Sequence, residues 1–222
     1  KVYAGNGQQV IGDEADEIVR RVNGLAWEAI RFDDFARLRD EGMIDLLDPD
    51  FDAAYLDAVR AACLAPDLCE RHGADLRIVY TPLHGTGAPT IPTALAQWGV
   101  QHVAVVPEQA QPNGDFPTTA SPNPEEREAL TLALRLADAD PDAPADLVKG
   151  TDPDADRVGV ALRDDLGALR LLNGNETGAL LAWYQIARRR ETDSLPPNAA
   201  LISTVVSSEI FAALAAAEGV EF

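Results

Sequence analysis

Apolar residues recur at helical spacing from Val19 to about Leu47, interrupted by Asp33-Asp34 and Gly42, and Asp48-Pro49-Asp50 then punctuates the chain with N-cap candidates. Phe51 to Leu68 reads as one amphipathic helix with Tyr55, Leu56, Val59, Ala62 and Cys63 on its apolar stripe. After His72-Gly73 the period shortens. Leu76–Tyr80 is a predicted strand, Ile91–Trp98 a helix and Val103–Val106 a second buried strand. A polar loop over Gln111–Thr119 precedes a well-signed helix start. Asn123 stands as N-cap, Pro124 at the first position and Glu125-Glu126 in the first turn, with the helix running to about Ala137. Strands follow at Asp146–Lys149, Arg157–Leu162 and Leu169–Leu172. A helix capped by Asn173 or Asn175 then runs to about Arg189, and a strand over Ala200–Val205 follows Pro196-Pro197. Strands alternating with helices imply an α/β sheet whose ligand loops lie at strand carboxyl ends.

Composition narrows the classes. With 222 residues, 46 % apolar, the chain can bury a core, so it is not an acidic disordered tail. Its 37 acidic against 18 basic side chains give a charge of −19, which argues against nucleic-acid or anionic-membrane partners, since those require a surplus of lysine and arginine. Lys1 and Lys149 are the only lysines. The longest apolar runs, such as Gly178–Trp183, are too short to cross a bilayer, and the start lacks a secretory pattern. A cytoplasmic location is expected. Cys63 and Cys69 suit buried, reduced thiols there, with no zinc site or disulfide framework in view.

The strongest local chemistry is Gly150-Thr151-Asp152-Pro153-Asp154-Ala155-Asp156-Arg157, set between two apolar strands. Carboxylates at alternate positions of one loop can converge on a point, and hard oxygen ligands select Mg²⁺ or Ca²⁺. Without a cation the three anions repel, and a solvated acidic loop is the bland alternative. An EF-hand is excluded, because its glycine and glutamate positions hold Arg157 and Arg163. A haloacid-dehalogenase phosphatase is a rival reading, with Asp152 as nucleophile and Asp154 as general acid. Arg157 suits a phosphate, which guanidinium binds bidentately.

Asp152-Pro153-Asp154-Ala155-Asp156-Arg157 resembles the metal-binding loop of the α-D-phosphohexomutases, the family of phosphoglucomutase and phosphomannomutase. Three further stretches resemble its bacterial phosphoglucomutase branch, in order. They are Tyr80–Gly87, Phe116-Pro117-Thr118 with Pro122–Glu126, and Asn173–Leu181 with Ser203–Glu209. The resemblance implies an α/β fold, a mixed sheet sandwiched by helices. It divides the chain into the end of a first domain (1–50), a whole second domain with the metal loop (51–172) and the start of a third (173–222). It implies an isomerase that moves phosphate between C1 and C6 of a hexose, glucose or mannose, through a phosphoserine and a 1,6-bisphosphate, with Mg²⁺ as Lewis acid. The ligands implied are Asp152, Asp154 and Asp156, while Asp156 and Arg157 contact substrate. Lys1 matches the family lysine that assists proton transfer, through Lys1-Val2-Tyr3 and the following Gly7–Ile11. The family's serine segment is imitated by Thr119-Ala120-Ser121-Pro122-Asn123-Pro124, but proline replaces its histidine and the flanks belong to the second domain. The nucleophile is therefore expected upstream of Lys1, outside the chain. The chain then reads as a fragment, inactive alone, whose partners are a sugar phosphate and the remaining mutase domains. A non-catalytic α/β module that binds Mg²⁺ or a partner protein stays open beside the phosphatase.

Lesser features carry less. Gly85-Thr86-Gly87 is a weak phosphate signal and more often a tight turn. His84 reads as a loop histidine satisfying backbone groups, and Trp27, Trp98 and Trp183 read as core.

Overall fold

Five strands, β1 (Arg77–Thr81), β2 (His102–Val105), β3 (Leu147–Thr151), β4 (Val158–Arg163) and β5 (Leu169–Leu172), pair in the order β2-β1-β3-β4-β5 in a computed structural model. It describes residues 2–30, 32–47 and 49–222, the side chain of Pro49 excepted. β1 runs parallel to β2 and β3, whereas β3–β4 and β4–β5 are antiparallel. The sheet is thus mixed, as the resemblance implies. Every strand predicted from Leu76 to Leu172 is present, displaced by one or two residues at most at its ends.

β1 is buried on both faces from Ile78 to Thr81, as a central parallel strand must be. On one face Val79, Val148 and Ala161 pack with Leu130, Ala133, Leu134 and Ala137, the last four from helix α6 (Thr131–Ala137) and the residue before it. On the other face the fully buried Tyr80 donates or accepts a 2.8 Å hydrogen bond with Thr151 Oγ1, and Gly87, just ahead of α5 (Thr90–Gln97), closes over it. A Cβ on Gly87 would lie 2.2 Å from the Tyr80 hydroxyl.

Three helix expectations change. The helix expected over 51–68 divides into α3 (Pro49–Ala61) and α4 (Pro66–His72), because Pro66 lacks an N–H and disfavours a helical residue before it. The helix expected from Pro124 is regular only from Thr131. Asn123 still accepts from Glu125 N (3.2 Å), but residues 124–130 form turns, because buried Pro124 is drawn onto Gly159 of β4 and packing overrides the start signal. The strand expected over Ala200–Val205 reduces to one parallel bridge, Ala200 to Glu221, with Ile202 and Val205 exposed. Helix α7 (Gly174–Glu191) forms as expected. Asn173 is its cap, accepting from Glu176 N (3.0 Å) while the Glu176 carboxylate accepts from Asn173 N (2.9 Å), a complete capping box. Asn175 accepts from Ser208 N instead, ahead of α8 (Ile210–Glu218).

The chain divides into two units, Lys1–Pro49 and Asp50–Phe222. The first contains α1 (Asp13–Asn23), a 3₁₀ turn at Trp27–Ala29 and α2 (Phe35–Asp40), and no described residue in it is buried. Trp27 is 84 % exposed, so it is not core. Trp183 is also exposed, and only Trp98 is partly covered. Lys1 lies outside the described residues, as does Asp48 among the capping candidates.

Candidate metal centre

Because β1 and β3 are parallel neighbours, with Thr81 opposite Gly150, the segments leaving their carboxyl ends emerge side by side. The 82–87 loop and the 152–157 loop are in contact there. Thr86 N donates to the Pro153 carbonyl (2.9 Å), and a Cβ on Gly85 would sit 2.3 Å from Pro153 Cα. Glycine at 85 is required by this approach of two backbones, beyond any role in turning the chain.

Within the acidic loop, Ala155 N donates to the Asp152 carbonyl (2.9 Å), and Ala155 turns back at φ 57°. This reversal gathers one oxygen each from Asp152, Asp154 and Asp156 within 4.8 Å of one another. Asp152 is buried, and the other two are exposed. Arg157 clasps Asp152 twice, backbone N to Oδ1 and side-chain Nε to Oδ2, both at 2.9 Å. Its Nε also lies 3.7 Å from Asp156 Oδ1, and its Nη1 reaches Asn123 Oδ1 at 3.5 Å. A carboxylate has about four lone-pair sites, so two hydrogen bonds leave Asp152 capacity for a cation. Ligand oxygens around an octahedral Mg²⁺ lie roughly 3 to 4 Å apart, so rotation of the exposed Asp154 and Asp156 side chains would close the set. The donor chemistry fits a hard divalent cation.

A buried polar chain supports the neighbouring loops. Thr81 Oγ1 donates to Gln109 Oε1 (2.7 Å), and Gln109 Nε2 donates to Thr118 Oγ1 (3.0 Å). His84 Nε2 stands 2.9 Å from Thr118 Oγ1, and Nδ1 stands 3.2 Å from the Gln111 carbonyl. That carbonyl can only accept, so Nδ1 carries a proton toward it, while Thr118 Oγ1 joins the His84 ring to Gln109. His84 also meets Phe116 edge-on, ring centroids 6.3 Å apart. Among the described residues, four of the five non-glycine residues with positive φ belong to these loops: Leu83, His84, Phe116 and Ala155. Such strain persists only where surrounding contacts over-determine it, and it concentrates at functional sites.

Sequence reasoning placed the three aspartates and Arg157 together, and the fold brings them together. It missed Gln109, fully buried at the hub, and Asn123 as a neighbour of Arg157. Gln109 carried no motif, a lone glutamine after an apolar strand, and Asn123 was read as a helix cap within Pro122–Glu126 rather than as a partner of Arg157. Lys149 is partly buried, and burial pushes its ammonium pKa below the ordinary lysine value. An open cleft of about 690 Å³, lined in part by Gly85, Thr86, Val105 and Gln111, borders the 82–87 loop. A second groove of about 540 Å³, between α7 and Pro196–Leu201, is lined mainly by apolar groups and holds no acid.

The sequence profile of the family described as "Phosphoglucomutase/phosphomannomutase, alpha/beta/alpha domain II" matches residues 53–167. A phosphoglucomutase of Staphylococcus haemolyticus is 35 % identical over 95 % of the chain and 36 % of its own length. A human phosphopentomutase is 32 % identical over 100 % of the chain and 36 % of its own length. A crystal structure from Thermus thermophilus, described as a phosphomannomutase, superposes on 77 % of the chain and 35 % of its own chain, with TM-score 0.56 and 22 % identity, a likeness of fold. The chain thus spans about a third of the length of the curated relatives it matches.

Proposed function

The chain belongs to the phosphoglucomutase/phosphomannomutase family, and from that premise we propose that it carries the divalent-cation loop of a sugar-phosphate mutase, an isomerase. The observation that supports this most is the convergence of Asp152, Asp154 and Asp156 at the carboxyl edge of the sheet, inside the matched segment. Mg²⁺ held there would act as a Lewis acid on a transferring phosphoryl group. Asp152, Asp154 and Asp156 are its proposed ligands. Arg157 fixes Asp152 through Nε, and its half-exposed guanidinium is the donor proposed for a substrate phosphate, with Asp156 beside it. In a chain of charge −19, such local positive charge is what an anionic substrate requires.

The haloacid-phosphatase reading is disfavoured by the same geometry. Asp152 is 1 % exposed and both its oxygens accept from Arg157, which suits a fixed ligand of a small cation better than a nucleophile that must meet a phosphorus atom in line. Ser121 donates to Glu126 within the turn that Asn123 organises, which supports assigning the nucleophilic serine to a segment outside this chain. Lys1 as proton-transfer residue, the divisions at 50 and 172 and the need for further mutase domains belong to the same proposal. Large exposed side chains, including Phe32, Ile202 and Val206, are consistent with surfaces that other domains cover. Among the described residues no helix is long and apolar enough to cross a membrane. A cytoplasmic setting, and the absence of nucleic-acid partners, rest on the composition.

Glucose or mannose phosphate is the proposed substrate. A pentose phosphate is a second reading, favoured by the phosphopentomutase likeness over the whole chain. The test is to graft the chain in place of the matching segment of the Staphylococcus haemolyticus phosphoglucomutase and assay glucose, mannose and ribose 1-phosphates. Metal-dependent conversion of a hexose phosphate, lost in Asp154→Asn, is expected. Turnover of ribose phosphate alone would favour the second reading, and activity indifferent to Asp154 would overturn both.

A further inference from the structure

The corner between α3 and α4 holds chemistry that the metal loop does not use. In one continuous helix, residues six apart sit roughly 240° around and 9 Å along the axis from each other, too far for two thiols to meet. Pro66 breaks that helix, and the turn it starts folds Cys69 back toward Cys63. Cys63 N donates to the Arg60 carbonyl (3.0 Å) in the corner, and the Cys69 carbonyl accepts from Gly73 N (2.8 Å) at the end of α4. Both cysteines line one narrow cleft with Arg60, Pro66, Glu70 and Trp98. The Arg60–Glu70 ion pair (3.2 Å) spans the same corner, and Arg60 Nη1 ties it to the Gln97 carbonyl (2.9 Å). Cys63, in the corner after α3, and Cys69, on α4, therefore face the same cleft. Both cysteines are free and partly exposed, so a small reagent reaches them.

We propose that Cys63 and Cys69 form a reversible dithiol–disulfide site, oxidised by a small-molecule disulfide of the glutathione class. One cysteine thiolate attacks a sulfur of the oxidant, forms a mixed disulfide and expels one glutathione thiolate. The second cysteine attacks the protein sulfur of that adduct, forms the Cys63–Cys69 bond and expels the second glutathione. The two thiol protons pass to the two leaving thiolates. The protein loses two electrons and the oxidant gains them. Thiols that line one narrow cleft can turn toward each other to form a disulfide, which favours this closure over a lasting adduct. Burial, followed by the neighbouring Cys63, pushes the Cys69 thiol pKa up, so the exchange is slow rather than blocked. Reversible pairing of this kind is how disulfides act in reducing compartments.

The test incubates the full chain with graded ratios of oxidised to reduced glutathione, counts free thiols and maps tryptic peptides without reduction. Both cysteines fall in the one peptide Ala61–Arg71. The expected result is joint loss of the two thiols, a peptide lighter by two hydrogens, no retained glutathione, and full recovery with dithiothreitol. Cys63→Ser and Cys69→Ser, each checked for native circular dichroism, should instead retain one glutathione per chain. Independent titration of the two thiols in the unsubstituted chain, a persistent glutathione adduct on it, or disulfide-linked dimers would overturn the proposal.

Discussion

The acidic loop with its supports and the N-terminal unit are built from similar local signals and differ in what fixes them. In the unit over residues 2–47, α1 opens with Asp13, Glu14 and Asp16 and closes with Arg20 and Arg21, and Asp34 caps α2 by accepting from Arg37 N (2.8 Å). Arg37 also pairs with Asp33 and Glu41. Yet no described residue there is buried, so propensity and charge alone define its helices. Around the acidic loop, backbone contacts leave no room for a Cβ, side chains are fully buried, and strained φ values are held in place. Convergent chemistry comes from the second kind of construction, where long-range packing fixes the backbone.

The largest contrast is expected at glycines. Gly159→Ala would place a Cβ 1.8 Å from the Pro124 carbonyl oxygen, so we expect loss of at least about 3 kcal/mol or failure to fold, while Gly5→Ala, with open space around it, should change stability by less than about 0.5 kcal/mol in urea unfolding. Next, Leu130→Ala, fully buried, should cost about 3 kcal/mol, and Leu25→Ala, 58 % exposed, under about 0.5 kcal/mol. Equal costs for the two leucines would break the comparison. Gln109→Leu leaves the Thr81 hydroxyl proton without its acceptor and removes a donor to Thr118, so it should cost about 2 kcal/mol and increase amide exchange in the 82–87 loop. On the exposed side, Asp33→Asn should cost no more than about 0.5 kcal/mol, falling with salt.

The smallest effect concerns the α7 cap. The Arg170 hydrogen bond, then that from the Asn173 backbone, hold the Glu176 carboxyl below its ordinary pKa near 4.5. A depressed carboxylate contributes stability that is fully present above the unfolded value and is lost as pH falls through the folded one. Melting temperature should therefore fall faster below about pH 4.5 in the unsubstituted chain than in Glu176→Gln.

The strands and the acidic loop were legible because alternation, short apolar runs and carboxylate spacing are properties of adjacent residues. Pro66 is a local helix breaker that the apolar stripe of Phe51–Leu68 masks, and the shared cleft of Cys63 and Cys69 is hidden with it. The turns at 124–130 could not be read locally, since Pro124 answers to Gly159, 35 positions on. Gln109 and Asn123 have the same character: their partners, Thr81, Thr118 and Arg157, are brought to them by the parallel crossover.

The most direct test of a divalent centre is paramagnetic broadening of backbone amides when Mn²⁺ is titrated into the ¹⁵N-labelled chain, with competition by Mg²⁺. The expected result is saturable loss of the Asp152–Arg157 signals, reversed by Mg²⁺, with affinity reduced by at least about tenfold in Asp154→Asn. Broadening spread over the acidic surface, or unchanged in a chain carrying Asp152→Asn, Asp154→Asn and Asp156→Asn together while its fold is retained, would contradict a metal site at this loop.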